Sequence, residues 1–126
     1  GGAGKLQEAF RIQRVWIGPL RFRSPLYQKW QEAFDQPPGR VRTVQRGDTI
    51  GPWQVLHPAP DDRFAQADDG SLVLAVTSGP TRILLLADMG KPGQAALIAR
   101  QPELPADIVV SGLPTKTEPL DNALML

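Results

Sequence analysis

The chain contains no cysteine. It can build no disulfide framework and no thiolate metal site, and its redox compartment is left open. It contains one histidine, His57, so a zinc centre made of several imidazoles cannot be assembled from its own residues. Long apolar runs are missing too. A stretch such as Ile83 to Ala87 falls far short of the ~20 residues that a helix needs to cross a bilayer. An excess of charge of one sign is missing too: the net charge is +1, which argues against a module that holds nucleic acid by bulk charge. The distribution is less even. Residues 1–63 carry ten Lys/Arg against six Asp/Glu, a balance of +4, and residues 64–126 carry four against seven, a balance of −3. A solvated surface accounts for that asymmetry without any partner.

What is present fits one domain of ordinary size. The chain has 126 residues, 41% hydrophobic and 21% charged, within the range of soluble globular proteins. Its apolar surface is concentrated in two runs, Ser71 to Thr77 and Thr81 to Ala87, joined by Ser78-Gly79-Pro80. In the first, Leu72, Leu74 and Val76 alternate with Val73 and Ala75; in the second, Ile83 and Leu85 alternate with Leu84 and Leu86. Both faces are apolar, which predicts a central hairpin covered above and below. Each large aliphatic side chain contributes about 1.5–3 kcal/mol when fully buried, so this hairpin is the expected core. It delivers Asp88 to its exit. An unpaired carboxylate is costly in such an interior, so Asp88 must face water, a cation or hydrogen-bond donors. Two roles follow: ordering the Met89-Gly90 loop, or ligating a metal at the strand end.

The remaining elements read in order. Lys5 to Phe10 is a short helix that must dock on something to persist, and Arg14 to Gly18 is a strand. Leu20-Arg21-Phe22-Arg23 is an exposed, extended loop. Ser24 and Pro25 supply a cap and a first helical residue for a helix whose Leu26, Trp30 and Phe34, widened by Tyr27 and Ala33, form an inward stripe. Val41 to Gln45 and Trp53 to His57 resemble a hairpin turned at Arg46-Gly47-Asp48. Arg40 and Arg42 share a strand face, which suits either a solvated edge or a phosphate-contacting strip. Pro58 to Gly70 reads as a solvated acidic loop whose Asp61, Asp62, Asp68 and Asp69 lack EF-hand spacing. Pro92 to Arg100 is a helix, and Asp107 to Ser111 is a buried strand parallel to its predecessor because a helix joins them. Residues 112–116 form a loop, and Asp121 to Leu126 opens another helix. Taken alone, His57 before Pro58 is a hydrogen-bonded loop residue or a metal ligand.

Several phrases resemble the metallo-β-lactamase-like domain at the carboxyl end of ComEC-type competence proteins, the DNA-uptake channel family. They are Arg14-Val15-Trp16-Ile17-Gly18, Ser24-Pro25-Leu26-Tyr27, Leu56-His57-Pro58 and Ala106-Asp107-Ile108-Val109-Val110. The tightest is Asp69-Gly70-Ser71-Leu72-Val73-Leu74 followed by Ile83-Leu84-Leu85-Leu86-Ala87-Asp88, similar to the family's N-x-S-L-V-L … L-L-x-G-D pattern. The resemblance spans nearly the whole chain. It implies an α/β (α+β) fold, a metallo-β-lactamase-like αββα sandwich, with residues 1–126 a single partial domain incomplete at the N-terminus and at the C-terminus. It implies metal and phosphodiester chemistry at one sheet edge, with Asp88 matching the metal-bridging aspartate and His57 lying near a ligand position. The departures are equally specific. The family's H-x-H-x-D-H motif would fall just before Gly1. Ala87 stands where the family has glycine, and Leu113-Pro114-Thr115-Lys116 stands where it has His-His-Gly-Ser.

Three functions follow as expectations. The first is a non-catalytic, degenerate domain of a ComEC-like protein, acting as a scaffold or DNA-contact surface through Arg21, Arg23 and Arg42. It needs no cofactor, because His57 and Asp88 alone fall short of the three or four ligands zinc requires. The second is a fragment of a metal-dependent phosphodiester or ester hydrolase, using zinc or another divalent metal held by histidines upstream of this chain. The third is a small protein-interaction domain whose Phe10, Phe22 and Leu124 pack on a partner. By resemblance, the partners are DNA, the membrane channel part of the same protein and the N-terminal segment of the same domain. A soluble domain attached to a bacterial inner-membrane protein is the matching location.

Overall fold

A computed structural model describes residues 2–112. In chain order the elements are α1 (Ala3–Ala9), β1 (Val15–Ile17), α2 (Pro25–Phe34), β2 (Val41–Thr43), β3 (Thr49–Ile50), β4 (Trp53–His57), β5 (Val73–Ser78), β6 (Thr81–Ala87), α3 (Lys91–Arg100) and β7 (Ile108–Ser111). β1 and β2 form a parallel pair, and β3 to β7 form a five-stranded sheet in sequence order. That sheet is antiparallel from β3 to β6, and β7 joins β6 in parallel. The class is α+β with mixed sheets. Among the described residues, no helix is long and apolar enough to cross a membrane.

The β5–β6 hairpin forms as the alternation requires. Ser78 pairs with Thr81, which leaves Gly79 and Pro80 as a two-residue turn. Gly79 takes φ +58°, a left-handed conformation that costs little only without a Cβ. One face of the hairpin makes the core. Val73, Ala75, Leu84 and Leu86 are buried together with Leu56, Met89 and Leu97, beneath α3. The other face differs from the expectation. Leu74, Val76, Ile83 and Leu85 are only half-buried. Their neighbours on β7, Ile108 and Val110, are 48% and 52% exposed. A single crossover helix covers one side of a sheet, and among the described residues no second layer buries the opposite side. For the same reason β7 is parallel, as expected from its helical connection, yet exposed rather than buried.

Further corrections concern pairing and helix phase. The expected hairpin between residues 41–45 and β4 does not form: β2 pairs with β1, Val15 with Val41 and Ile17 with Thr43, while β3 and β5 occupy the two edges of β4. Strand, capped helix and strand in that order make a parallel crossover unit. The turn after β2 instead bonds β4 directly, with Gly47 N donating to Val55 O (3.0 Å) and Val55 N to Asp48 O (2.9 Å). In α2, Ser24 Oγ accepts from Tyr27 N at 3.4 Å, so the cap is as read. The inward stripe is Tyr27, Trp30 and Phe34, with ring centroids 5.9 and 4.6 Å apart, while Leu26 is 72% exposed. Spacings of three and four residues hold one helix face, whereas two successive steps of four drift off it. Phe22 packs edge-on to Tyr27 at 5.5 Å, while Phe10 stands exposed beyond α1. Leu124, Lys116 and the expected helix at 121–126 lie outside the described residues.

Candidate functional site

β4, β6 and β7 run in one direction, so His57, Asp88 and Gly112 come to the same end of the large sheet. β5 starts at that end, directly after the 3₁₀ turn Asp68–Gly70. His57 ends β4 and Asp88 follows β6, and these two strands lie two places apart, about 10 Å at the usual strand spacing. The register slips between Val55 and His57, a bulge of the kind that re-aims side chains. Val55, Leu56 and His57 are all buried in succession.

His57 is fully enclosed. Its Nε2 lies 2.7 Å from Asp69 O. A carbonyl only accepts, so Nε2 carries the proton and donates, and Nδ1 keeps the lone pair. Nδ1 has no hydrogen-bond partner and sits 3.9 Å from Asp62 Oδ2. The Phe64 ring packs beside the imidazole at 5.4 Å. Burial pushes the His57 pKa below its ordinary value, against the raising influence of the Asp69 carbonyl and the Asp62 charge. The imidazole is therefore neutral near pH 7.

The flanking carboxylates are committed as well. Asp62 Oδ2 accepts from Ala59 N (2.9 Å) and Arg100 Nη1 (2.8 Å), and Asp62 Oδ1 pairs with Arg100 Nη2. The Arg100 guanidinium holds the Asp62 pKa below the carboxylate norm, and Asp62 raises that of Arg100. Asp69 is buried, with Oδ1 accepting from Gly93 N at 3.1 Å in the first turn of α3. That helix has Gly90 at its N-cap and no side-chain cap of its own, so Asp69 supplies the missing acceptor from another segment. Gly93 is required there: a Cβ would sit 2.7 Å from Asp69 O and 2.6 Å from Met89 Cγ. The acidic loop is thus not uniformly solvated. Asp61 and Asp68 face water, whereas Asp62 and Asp69 pin the loop to α3. Sequence reasoning missed this network. Its one visible signal is a helix start, Gly90-Lys91-Pro92, that lacks a capping side chain.

Asp88 is exposed, and its carboxylate has no partner among the described residues. Before it, Ala87 adopts φ +56°, the left-handed region that favours the glycine of the resembling motif. Ala87 O accepts from Gly112 N (2.7 Å) and Ser111 Oγ (3.3 Å), tying the end of β7 to Asp88. No group of three or more His, Asp or Glu side chains that could hold a metal occurs among the described residues. As placed, His57 does not fit a metal. One nitrogen is engaged with a carbonyl, and the other points into a closed interior towards a carboxylate already bound to arginine.

The three arginines are exposed but not brought together. Arg21 lines a cleft of about 160 Å³ beside α2 and a shallower one of about 440 Å³ against the loop at Phe64. Arg23 follows on the same connection. Arg42 lies on β2, cross-strand from Trp16, on the face turned away from α2. Comparison with known proteins finds no matching family model, no matching curated protein and no matching solved structure.

Proposed function

We propose that the chain is a non-catalytic scaffold of the metallo-β-lactamase-like kind, part of a ComEC-like DNA-uptake protein, and that it presents a DNA-contact surface rather than a metal centre. The observation that carries this reading is the inward-held His57 ring, bonded to Asp69 O at 2.7 Å and serving as a structural pin. The motif phrases resemble those of that family, and the alternation of helices and mixed sheet is compatible with half of a layered sandwich. The basic segment of the chain supports contact with DNA. Residues 11–46 carry eight Lys/Arg against two Asp/Glu, a local balance of +6 that the whole-chain charge of +1 conceals. Exposed basic side chains in excess attract and hold phosphates.

The test is a pair of measurements on the full chain. Metal analysis after equilibration with zinc or manganese is expected to give well below one ion per chain. Fluorescence anisotropy with labelled DNA is expected to show binding that weakens steeply with salt, and weakens further in R21Q/R23Q. A stoichiometric, tightly held metal would instead favour the hydrolase reading. In that reading the free Asp88 carboxylate is one ligand and upstream histidines supply the others.

A further inference from the structure

The parallel pair β1–β2 has one face under α2; on the other, Trp16 and Arg42 are exposed, whereas Val44, further along, is buried. Ile17 and Thr43 line the cleft beneath Tyr27, Gln28 and Gln31 of α2. Alternation along the strands therefore turns Trp16 and Arg42 to the other side. These two are direct cross-strand partners. Trp16 is 36% exposed and has no ring partner among the described residues. Stepping back by two residues on each strand puts Arg14 beside Trp16 and Arg40 beside Arg42. The pairing extends that far, because Val15 N donates to Arg40 O at 3.1 Å.

The charges on this strip have no carboxylate partner among the described residues. The side chains of Arg14, Arg40 and Arg42 have no hydrogen bond, ion pair or ring contact among the described residues. The two carboxylates in residues 11–46 are Glu32 and Asp35. Asp35 Oδ1 is already occupied, accepting from Gly39 N (2.9 Å) and Val41 N (3.0 Å). An exposed indole on one strip with three arginines that have no partner among the described residues suits a polymer that offers planar rings and phosphates at once. In a duplex the base faces are stacked away, and the indole would have nothing to lie against. In a single strand they are available, and stacking on an aromatic side chain tolerates any base.

We propose that the Arg14, Trp16, Arg40 and Arg42 strip binds single-stranded nucleic acid, with Trp16 stacking on a base and the arginines holding the flanking phosphates. This rests on the DNA-contact reading above and adds to it the strandedness and the site.

The experiment uses the full chain and a fluorescein-labelled oligothymidylate of about 15 nucleotides, a length covering a typical single-strand site, with a duplex of equal length as comparison. The oligothymidylate is expected to bind more tightly than the duplex and to quench tryptophan fluorescence. W16A is expected to weaken single-strand binding by about tenfold or more, within the range for loss of one stacked base. W16F, which keeps an aromatic face, should retain most of the affinity. R42Q should lower the salt slope by roughly 0.7, the value for one phosphate contact on a single strand. Circular dichroism of each variant confirms that it is folded. If the wild type binds DNA but W16A and R42Q bind as it does, or if the duplex is preferred, the strip is refuted while the DNA-contact reading survives. Competition by polyglutamate with no effect of W16A would likewise overturn it in favour of an acidic protein partner. If the wild type binds neither form of DNA, both readings fall.

Discussion

Replacing His57 separates a structural pin from a metal ligand. In His57→Ala the buried ring disappears, leaving a cavity between Phe64, Asp62 and the bulged end of β4. Truncating a large buried ring to alanine costs about 3–5 kcal/mol, and the imidazole, smaller than a phenyl group, sits at the lower end. The Asp69 carbonyl also loses its 2.7 Å donor. An unsatisfied buried acceptor adds about 1–3 kcal/mol when water cannot replace the partner. These contributions overlap, because the cavity admits some relaxation, and a net loss of about 4 kcal/mol is expected. For a domain of this size, with a urea m-value of roughly 1–1.5 kcal/mol/M, the midpoint should fall by about 3 M. The assay is urea unfolding of the metal-free full chain, followed by circular dichroism at pH 7.5. His57→Gln keeps an amide donor that can reach Asp69 O and should lose less than half as much. A loss under about 1 kcal/mol for His57→Ala would refute the reasoning, since a free ligand contributes little to the apo fold. Equal losses for Ala and Gln would show that packing, not the hydrogen bond, sets the effect.

Three more outcomes follow from the same geometry. Because burial lowers the His57 pKa from 6.5, the unfolded chain binds the extra proton first. Stability is therefore retained above pH 6.5 and lost as pH falls below it, by up to about 1.4 kcal/mol per pH unit. A urea series from pH 8 to 5 should show that slope in wild type and a flatter one in His57→Gln. Ala87→Gly relieves the left-handed φ of +56° and should raise the thermal midpoint by a few degrees, equivalent to about 0.5–1 kcal/mol. Gly93→Ala forces a Cβ against the Asp69 backbone. It should cost at least about 2 kcal/mol, measured by the same urea titration.

Much of the fold was legible where local chemistry and burial point the same way. The β5–β6 alternation, the Gly79-Pro80 turn and the Ser24-Pro25 cap each determine their element within a few residues. The partner of β2 was harder to read. Val41 to Gln45 precedes a Gly-Asp turn that looks like the tip of a hairpin, yet the strand's ladder is taken by β1 from the far side of α2. That choice depends on a long-range parallel crossover, for which a turn signature carries no information. The apolar second face of the hairpin was read correctly as apolar and wrongly as covered. Side-chain type records what a face can bury against, whereas the presence of a covering layer depends on other segments.

The candidate site shows the same division more sharply. His57 and Asp88 attract notice because their side chains can ligate metals, and chain direction does bring them to one end of the sheet. What decides the role of His57 is its neighbours, and those come from positions 62, 69, 93 and 100. None of them is unusual in its local sequence. A bulge turns the ring inward, the loop returns Asp69 O to meet it, and the same residue's carboxylate completes a helix that starts without a cap. The histidine, the acidic loop and α3 thus form one unit held by Asp69 and Asp62, in which His57 Nδ1 alone is left without a hydrogen-bond partner. A site that encloses its imidazole in this way gains rigidity and shuts its remaining lone pair away from solvent. Among the described residues, charged side chains without a partner lie elsewhere, Asp88 and the arginines of β1–β2 among them. Binding at the surface is therefore expected where charge is left unneutralised, and not where the metal-capable side chain happens to be.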